Sequence, residues 1–366
     1  MILFVTVLIA MHFLLLWKLN EGVRNVIKST QGNTFPTIYK PKDFTIIIPI
    51  RNEKHNLNLL IQSLRNQRLE DYSSKIIFVN DHSNDGSLSN LQSLIEDNFP
   101  FETSILSLLE HEGSGKKNAL LKANNEATSE FIIQIDADTI LTENWLNSIM
   151  HNVQLDTDLL VLPVSIEGSA QWFEKLEFSA LQFVTFGMAG NGFPILCNGA
   201  NLVYRNCHWI TSFGAIRNGD SGDDIFLLQD FMQKNRTIKY AYSRNLFAKT
   251  HGAKRLTDFM HQRLRWAGKN QNVSIPKYKS VMIYLGILQF MPLIICVFNL
   301  SIGLVFLVFK IVLDYYFIKT YRLHNEEKTS FSLFALSALL MPIYLSTLIV
   351  GPTLINPKWK GRKVNV

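Results

Sequence analysis

Acidic residues at two places along the chain could bind a metal ion and move a proton. Asp136 and Asp138 are separated by one residue and directly follow an apolar run at Phe131–Ile135. Two carboxylates so placed can converge on one hard divalent cation, which in turn neutralises a diphosphate. Far downstream, Asp223 and Asp224 form a second acidic pair that could supply a general base, although alone such a pair is more typical of a helix N-terminus.

A basic and aromatic segment follows the second acidic pair. It contains Gln262, Arg265 and Trp266 in the spacing Q-x-x-R-W. A guanidinium stays charged and offers bidentate hydrogen bonds, so Arg265 is suited to stabilise a departing diphosphate. The indole of Trp266 could brace an acceptor molecule. Taken alone, this stretch is more typical of an amphipathic helix at a membrane surface than of a catalytic element.

The order of these motifs resembles the membrane-bound members of glycosyltransferase family 2, which include cellulose, chitin and hyaluronan synthases and ceramide glucosyltransferases. Their pattern is an early aspartate, which is Asp81 here, then D-x-D, an acidic pair and Q-x-x-R-W. The resemblance covers roughly residues 43 to 270. It implies an inverting glycosyltransferase in which Asp224 is the base that deprotonates the acceptor hydroxyl. Asp223 beside it would tune its basicity by like-charge repulsion.

The resemblance also implies which residues bind the donor. The segment that lines the nucleotide pocket in the family corresponds here to Pro49, Arg51, Asn52 and Glu53. Glu53 would lie near the ribose, and Asp81 would accept a hydrogen bond from the uracil edge. Asn80 stands where many relatives have a second aspartate. From the residues alone, the same segment is equally typical of a turn that caps the next helix, and the loop of Asp81 is typical of a structural turn.

Lys116 and the D-x-D segment complete the expected donor site. Lys116 follows Gly115 in a stretch that lacks the spacing of a phosphate loop, and the resemblance places it near the donor. The resemblance makes Asp138 the direct metal ligand and Asp136 a donor or metal contact. Mg²⁺ or Mn²⁺ is the expected cofactor, because these ions prefer oxygen ligands and accept one or two carboxylates plus diphosphate oxygens. Zinc would need histidine or cysteine at ligand spacing, which the sequence lacks.

The charge distribution predicts a membrane protein with a cytoplasmic catalytic domain. The chain has 366 residues and a formal net charge of +6. Much of the basic excess follows the first and last apolar segments, at Lys18, Arg24 and Lys28 and at Lys358, Lys360, Arg362 and Lys363. This distribution is typical of a multi-pass cell-membrane protein whose basic residues stay inside. Nucleic acid is not an expected partner, because the charges do not gather into an aromatic-interleaved groove.

Alternating apolar and helical patterns predict an α/β domain with a parallel sheet. Strands are expected at Phe44–Ile50, Lys75–Val79, Ser104–Leu109 and Phe131–Ile135, with helices between them. The resemblance implies a GT-A-like, Rossmann-type nucleotide-sugar-binding domain with transmembrane or interfacial helices at both ends. The expected division is an anchor at 1–19, a tether at 20–42, the glycosyltransferase domain with interfacial helices at 43–275, transmembrane or re-entrant segments at 276–357 and a basic cytoplasmic tail at 358–366.

Two apolar segments have more than one interpretation. Gln171–Gly190 could lie on the bilayer and guide a lipid towards residues 198–201, or it could be a buried helix. Phe331–Ile355 is the last of three apolar runs after the catalytic domain, and three crossings would place the basic tail outside. Pro342 and Pro352 therefore favour a re-entrant or interfacial hairpin in this run.

The number of apolar segments bears on the acceptor. Processive synthases, by resemblance, use many transmembrane helices to form a polymer channel, whereas this chain has about three or four suitable segments. The sequence therefore favours transfer of one sugar from a nucleotide-sugar, a UDP-sugar in our reading, to a membrane lipid. The alternative is a processive polysaccharide synthase that forms its channel by oligomerising or with a partner. A non-catalytic membrane scaffold is the third interpretation, and the sequence predicts no oligomeric state.

Overall fold

The computed structural model describes residues 1–32, 37–96, 98–167, 172–209, 223–270, 273–354, 358–359 and 362–363. The strands are β1 Phe44–Ile50, β2 Lys75–Asn80, β3 Glu102–Ser107, β4 Phe131–Ile135, β5 Thr139–Leu141, β6 Leu159–Val161, β7 Val164–Glu167, β8 Asn201–Arg205, β9 Ile238–Tyr240, β10 Ala248–His251, β11 Lys358–Trp359 and β12 Arg362–Lys363. The helices are α1 Ile2–Gln31, α2 Leu57–Arg65, α3 Ser87–Glu96, α4 Lys116–Glu126, α5 Trp145–Asn152, α6 Trp172–Ala189, α7 Asp223–Gln233, α8 Leu256–Asn270, α9 Pro276–Phe298, α10 Leu300–Leu323 and α11 Phe331–Leu354.

A seven-stranded sheet in the order β3-β2-β1-β4-β8-β6-β9 forms the centre of the α/β domain. β1 pairs in parallel with β2 and β4, and β2 pairs in parallel with β3. Ile46, Ile47 and Ile48 are fully buried, and they alternate between two hydrophobic clusters on opposite faces of the sheet. A strand covered on both faces must be apolar throughout, which explains the continuous runs. The predicted α/β class is therefore confirmed.

The strand order creates the crevice where a ligand can bind. After β3 at one edge, the chain returns to the other side of β1 to form β4. Neighbouring loops then leave β1 and β4 in opposite directions, and in open α/β sheets this point binds ligands. β8 pairs antiparallel with β4 and with β6, a reversal that the expectation of a parallel sheet did not include. A three-stranded sheet of β5, β10 and β7 lies beside this crevice.

The first helix includes residues 20–31 of the predicted tether at 20–42, so this part of the prediction is corrected. α1 continues to Gln31, and Leu19, Val23 and Val26 are buried on one face of it. Residues three and four apart share a helix face, so this spacing holds the helix against the α/β domain. At Gly22 the helix meets α6 so closely that an added Cβ would lie 1.9 Å from the carbonyl oxygen of Gly187. Residues 33–36 of the expected tether lie outside the described residues.

Four helices in the described part of the chain are long and apolar enough to cross a membrane, namely Ile2–Gln31, Tyr278–Phe298, Leu300–Leu323 and Phe331–Pro352. Three of them share a polar cluster. His12 of α1 lies 2.6 Å from the Asp314 carboxylate of α10. Lys310 donates to Asp314 at 2.6 Å and to Gln289 of α9 at 2.9 Å. Charged side chains between apolar helices must pair with one another, and here they join α1, α9 and α10.

The last apolar segment forms one continuous helix, which corrects the prediction of a hairpin. α11 continues without a reversal through Pro342 to Leu354, and Ile355 lies outside the described residues. A helix pairs its backbone groups internally, whereas a reversal in an apolar environment would leave some unpaired. In its second half α11 packs against α8. The Tyr344 ring centroid is 5.8 Å from that of Phe259 in α8, and Gly351 lies against Leu264.

Candidate active site

One cavity of about 270 Å³ collects most of the side chains predicted to bind the donor or to perform chemistry. Its lining includes Pro49, Arg51, Glu53, Asp81, Lys116, Asp136, Asp138, Asp224, Gln262, Arg265 and Trp266. Asn52 does not line it, and the side chain of Asp223 lies outside the described part of the structure. The carboxyl ends of β1, β2 and β4 lead into this cavity, which explains how residues so distant in sequence meet.

Asp81 is held firmly at the end of β2. Its side chain is 2% exposed, and Oδ2 accepts a hydrogen bond of 3.0 Å from the N–H of Gly115. Arg51 approaches the same oxygen at 3.3 Å and donates to the Asp81 carbonyl oxygen at 2.8 Å. A buried carboxylate needs such partners, because burial of an unpaired charge is costly. The result is a carboxylate of fixed orientation in the wall of the cavity.

Asn52 and Glu53, in the turn after β1, have different positions in the structure. Asn52 has φ of 53°, in the left-handed region that asparagine tolerates. Its N–H donates to Ser83 Oγ at 3.1 Å, and its Oδ1 accepts from the N–H of Asn84 at 2.9 Å. Glu53 lines the cavity, while its N–H donates to Ser87 Oγ at 2.8 Å. Asn52 therefore ties two loops together, and Glu53 faces the space between them.

Lys116 and Gly199 connect the D-x-D segment to the predicted base. Lys116 Nζ lies 2.5 Å from Asp136 Oδ1 and 3.2 Å from the carbonyl oxygen of Gly199. The N–H of Gly199 donates to Asp224 Oδ2 at 3.1 Å. A Cβ added at Gly199 would lie 2.8 Å from Gln134 Nε2 and 3.3 Å from Lys116 Nζ. A larger residue at this position would require the ends of the Gln134 and Lys116 side chains to shift.

Asp138 is oriented by β10, a strand without any of the predicted site residues. Thr250 of β10 donates from its hydroxyl to Asp138 Oδ2 at 2.9 Å. β10 pairs antiparallel with β5, and Thr250 stands opposite Thr139. A hydrogen bond from a neighbouring group fixes the direction of a ligating carboxylate. Thr250 is therefore a member of the site whose only local signal is a β-branched residue at a strand end.

The donor set fits a hard cation shared with a diphosphate. No group of three or more histidine, cysteine, aspartate or glutamate side chains in the described residues is arranged to hold a metal ion. Asp136 and Asp138 line the same cavity. Two carboxylates leave several positions of an octahedral ion for water and phosphate oxygens, an arrangement typical of Mg²⁺ and Mn²⁺.

Asp224 lies in the first turn of α7. Its Oδ1 accepts a hydrogen bond of 2.8 Å from the N–H of Ile225, and Cys197 Sγ donates to its carbonyl oxygen at 3.2 Å. Together with the bond from Gly199, these contacts hold the carboxylate in the cavity wall. A carboxylate in the first turn of a helix is also stabilised by the helix dipole. A structural contribution and a place in the cavity thus coexist at Asp224.

The Q-x-x-R-W residues occupy one face of α8. Gln262, Arg265 and Trp266 are three and four residues apart, a spacing that places side chains together on a helix. The Trp266 ring lies 6.4 Å from the Phe178 ring of α6. Arg263, which lies between Gln262 and Arg265 in the sequence, does not line the cavity and is 2% exposed. The sequence interpretation passed over Arg263, although a second arginine within the motif was a signal.

Two further helices contribute walls that motif reasoning did not find. Gln182 and Thr185 of α6 line the cavity, and so do Tyr278 and Met282 at the start of α9. α6 begins at Trp172 in the described residues, and Gln171 lies outside them. Tyr278 and Met282 belong to an apolar run, so nothing local in the sequence distinguishes them from lipid-facing residues. The cavity therefore touches a helix that is apolar enough to span a membrane.

Two family models match the chain. Residues 45–205 match Glycosyl transferase family 2, and residues 131–350 match Glycosyl transferase family group 2. No curated protein matches the chain.

Solved structures with a similar fold include the mannosyltransferase PcManGT from Pyrobaculum calidifontis in complex with GDP-Man and Mn²⁺. The two chains are 14% identical with a TM-score of 0.53, over 92% of this chain and 99% of that one. TarS 1-349 from S. aureus is 13% identical, with a TM-score of 0.43 over 88% and 96% of the chains. Glucosyl-3-phosphoglycerate synthase from Mycobacterium tuberculosis in complex with Mn²⁺, UDP-Glc and glycerol 3-phosphate is 15% identical, with a TM-score of 0.44 over 64% and 80%. The overlap with PcManGT supports the GT-A-like fold.

Proposed function

Because the chain belongs to glycosyl transferase family 2, we propose that it transfers one sugar from a UDP-sugar to a lipid acceptor at the membrane surface. Use of a nucleotide-sugar follows from the family. The uridine base, the lipid acceptor, inversion and the metal ion belong to our proposal. PcManGT was solved with GDP-Man, so the nucleotide base has to be tested directly.

The observation that carries the lipid acceptor is the composition of the cavity wall. Asp136 and Asp224 line the same cavity as Tyr278 and Met282 of α9. α9 is one of the helices that are long and apolar enough to cross a membrane. An acceptor whose chain stays in the bilayer could therefore place its hydroxyl beside Asp224 without leaving the cavity. A water-soluble acceptor would need no such wall.

The residues of the cavity divide the reaction between them. Asp224 takes the proton from the acceptor hydroxyl, and the acceptor oxygen attacks the anomeric carbon. The bond from that carbon to the diphosphate breaks as the glycosidic bond forms, and direct attack inverts the configuration. Arg265 and Lys116 stabilise the negative charge that the nucleoside diphosphate carries away.

Three other groups hold the reactants. Asp138 and Asp136 would bind Mg²⁺ or Mn²⁺, which supplies charge neutralisation of the diphosphate when bound. Thr250 keeps Asp138 in its orientation through the 2.9 Å hydrogen bond. Trp266 presents its ring to the cavity, where it braces the acceptor.

The test uses the purified full-length protein in liposomes that contain extracted membrane lipids. Labelled UDP-sugars and GDP-sugars are added one at a time, and the organic-extractable product is separated by chromatography. We expect label from a UDP-sugar in a lipid that carries one added sugar, and no such product from the Asp224→Asn variant. A ladder of long water-soluble chains would overturn the lipid acceptor and favour a processive synthase. Transfer from GDP-sugars alone would overturn the uridine assignment.

A further inference from the structure

Arg263 is a buried charge at the junction of three helices. Its side chain is 2% exposed, on α8 between the cavity residues Gln262 and Arg265. Its Nε and Nη2 donate to Glu177 Oε2 of α6 at 3.1 and 2.8 Å. Burial alone would lower the pKa of Arg263, but Glu177, Tyr344 and Glu174 together outweigh burial and raise the pKa. The arginine is therefore a charged, ion-paired group inside the protein.

The same guanidinium contacts two side chains of the Q-x-x-R-W motif. Its Nη1 donates to Gln262 Oε1 at 2.5 Å. Its central carbon lies 4.2 Å from the centroid of the Trp266 ring, within the range of a cation–π contact. Gln262 and Trp266 both line the cavity, whereas Arg263 does not. A group outside the cavity thus orients two groups inside it.

The ion pair is connected to the membrane helix α11. Tyr344 donates from its hydroxyl to Glu177 Oε1 at 3.0 Å. Glu174, the second nearby carboxylate, is 3.9 Å from Arg263 Nη2 and accepts from the N–H of Ala253 at 2.9 Å. Glu177, at 2.8 Å from Arg263 Nη2, is closer than Glu174 and is the main countercharge of the arginine. Both oxygens of Glu177 are engaged, one by α8 and one by α11.

We propose that Arg263 is a positioning residue, which holds Gln262 and Trp266 in their orientation towards the acceptor, and that Glu177 and Tyr344 hold Arg263. The proposal rests on the proposed function, because that function makes Trp266 the side chain that braces the acceptor. An apolar residue could fill the space between α6 and α8, often without loss of stability. A planar guanidinium can in addition stack on an indole while its donors bind a carboxylate and an amide.

Kinetics of the Arg263→Gln and Arg263→Lys variants test the proposal in liposomes. We expect kcat/KM for the lipid acceptor to fall by roughly 10²-fold, the scale of a misplaced reactant, while the Kd of the nucleotide-sugar changes less than about twofold. Arg263→Lys should show a similar loss of kcat/KM, because an ammonium keeps the charge but lacks the planar shape and the several donors of a guanidinium. Tyr344→Phe should lower kcat/KM for the lipid acceptor less strongly, again with little change in the Kd of the nucleotide-sugar. Tyr316→Phe serves as the matched control, because Tyr316 is an exposed tyrosine of α10.

A second measurement needs no substrate. Each variant is compared with its Trp266→Phe counterpart, and the difference in acrylamide quenching of tryptophan fluorescence reports the accessibility of Trp266. We expect Trp266 to become more accessible in Arg263→Gln and unchanged in Tyr316→Phe. Unchanged quenching together with unchanged acceptor kinetics would overturn the positioning role. Equal loss of donor binding and transfer would assign Arg263 a purely structural role and overturn it as well. Absence of transfer in the wild type, with the quenching difference intact, would count against the proposed function alone.

Discussion

At the scale of single residues, the two aspartates of the D-x-D segment have different partners. Asp136 shares its charge with Lys116 at 2.5 Å, whereas Asp138 receives an oriented hydrogen bond from Thr250 at 2.9 Å. A hydrogen bond from a neighbouring hydroxyl fixes the direction of a carboxylate oxygen. We therefore propose Asp138, the residue that the family resemblance makes the direct ligand, as the metal ligand.

The Asp138→Asn variant tests this assignment. Asparagine keeps the shape and can still accept from Thr250, so the fold should persist. We expect transfer to fall by about 10²–10³-fold, the scale seen when one group that stabilises transition-state charge is removed. Donor binding should lose its dependence on Mg²⁺ or Mn²⁺, measured by calorimetric titration with and without the ion. Full wild-type activity in excess chelator would contradict the assignment.

The Asp224→Asn variant separates donor binding from chemistry. The amide cannot take up the acceptor proton, so we expect turnover to fall by about 10²–10⁴-fold, the usual contribution of a general base. The Kd of the donor should stay near that of the wild type. Asp156→Asn, an exposed carboxylate that does not line the cavity, is the control for loss of one carboxylate. Weaker donor binding with normal turnover would instead make Asp224 a nucleotide contact.

At the scale of elements, the packing of α1 on α6 supports one wall of the cavity. Gly22 of α1 meets Gly187 and Gly190 of α6 in nearly direct backbone contact. Small residues allow such close approach between helices in membranes. Gln182 and Thr185, on the same helix α6, line the cavity. The first helix is therefore part of the scaffold that supports the cavity.

The Gly22→Leu variant should separate α1 from α6. An added Cβ would lie 1.9 Å from the Gly187 carbonyl oxygen, so the helices must move apart. We expect a loss of at least about 1–3 kcal/mol in stability, the scale of overpacking, seen as a lower Tm in detergent. Gly286→Leu is the matched control, because an added Cβ at Gly286 of α9 meets nothing within 4 Å. Equal Tm values for the two variants would refute the importance of this contact.

At the scale of the whole molecule, the course of α11 determines on which side of the membrane we expect the basic tail. Near its start, Phe331 packs on Tyr315, 5.0 Å between ring centroids, and at its end Gly351 lies against Leu264 of α8. β11, which follows, also lies against α8. Both ends of α11 are thus close to elements that belong to or adjoin the catalytic domain. We infer that α1, α9 and α10 cross the membrane and that α11 lies along its inner surface, which satisfies the positive-inside rule.

Accessibility in sealed vesicles tests this arrangement. Cys207 is exposed on the catalytic domain and reports its side of the membrane to an impermeant maleimide. We expect a C-terminal epitope tag to be protected or exposed together with Cys207, and an N-terminal tag to behave in the opposite way. A C-terminal tag on the side opposite to Cys207 would mean that α11 crosses the bilayer. Residues 360–361 and 364–366 of the tail lie outside the described residues.

The sequence by itself determined the elements whose signals are local. β1 and β4 begin and end where their apolar runs do, and α4 begins at Lys116 as expected. The order of the motifs determined the family, and the carboxyl ends of parallel strands had to bring Asp81 and Asp136 to one edge. These conclusions needed only hydrophobic periodicity and strand direction, and both depend on residues that are close together in the sequence.

Only the tertiary structure decided which surfaces meet. The docking of α1 through Gly22, the straight course of α11, the bond from Thr250 to Asp138 and the burial of Arg263 between α6 and α8 all join residues far apart in sequence. No local pattern specifies such partners, because an apolar or charged side chain has the same sequence context whether it faces lipid, water or another helix. The free energy of these long-range contacts, gained only when the whole chain has folded, selects among the alternatives that the local signals leave open.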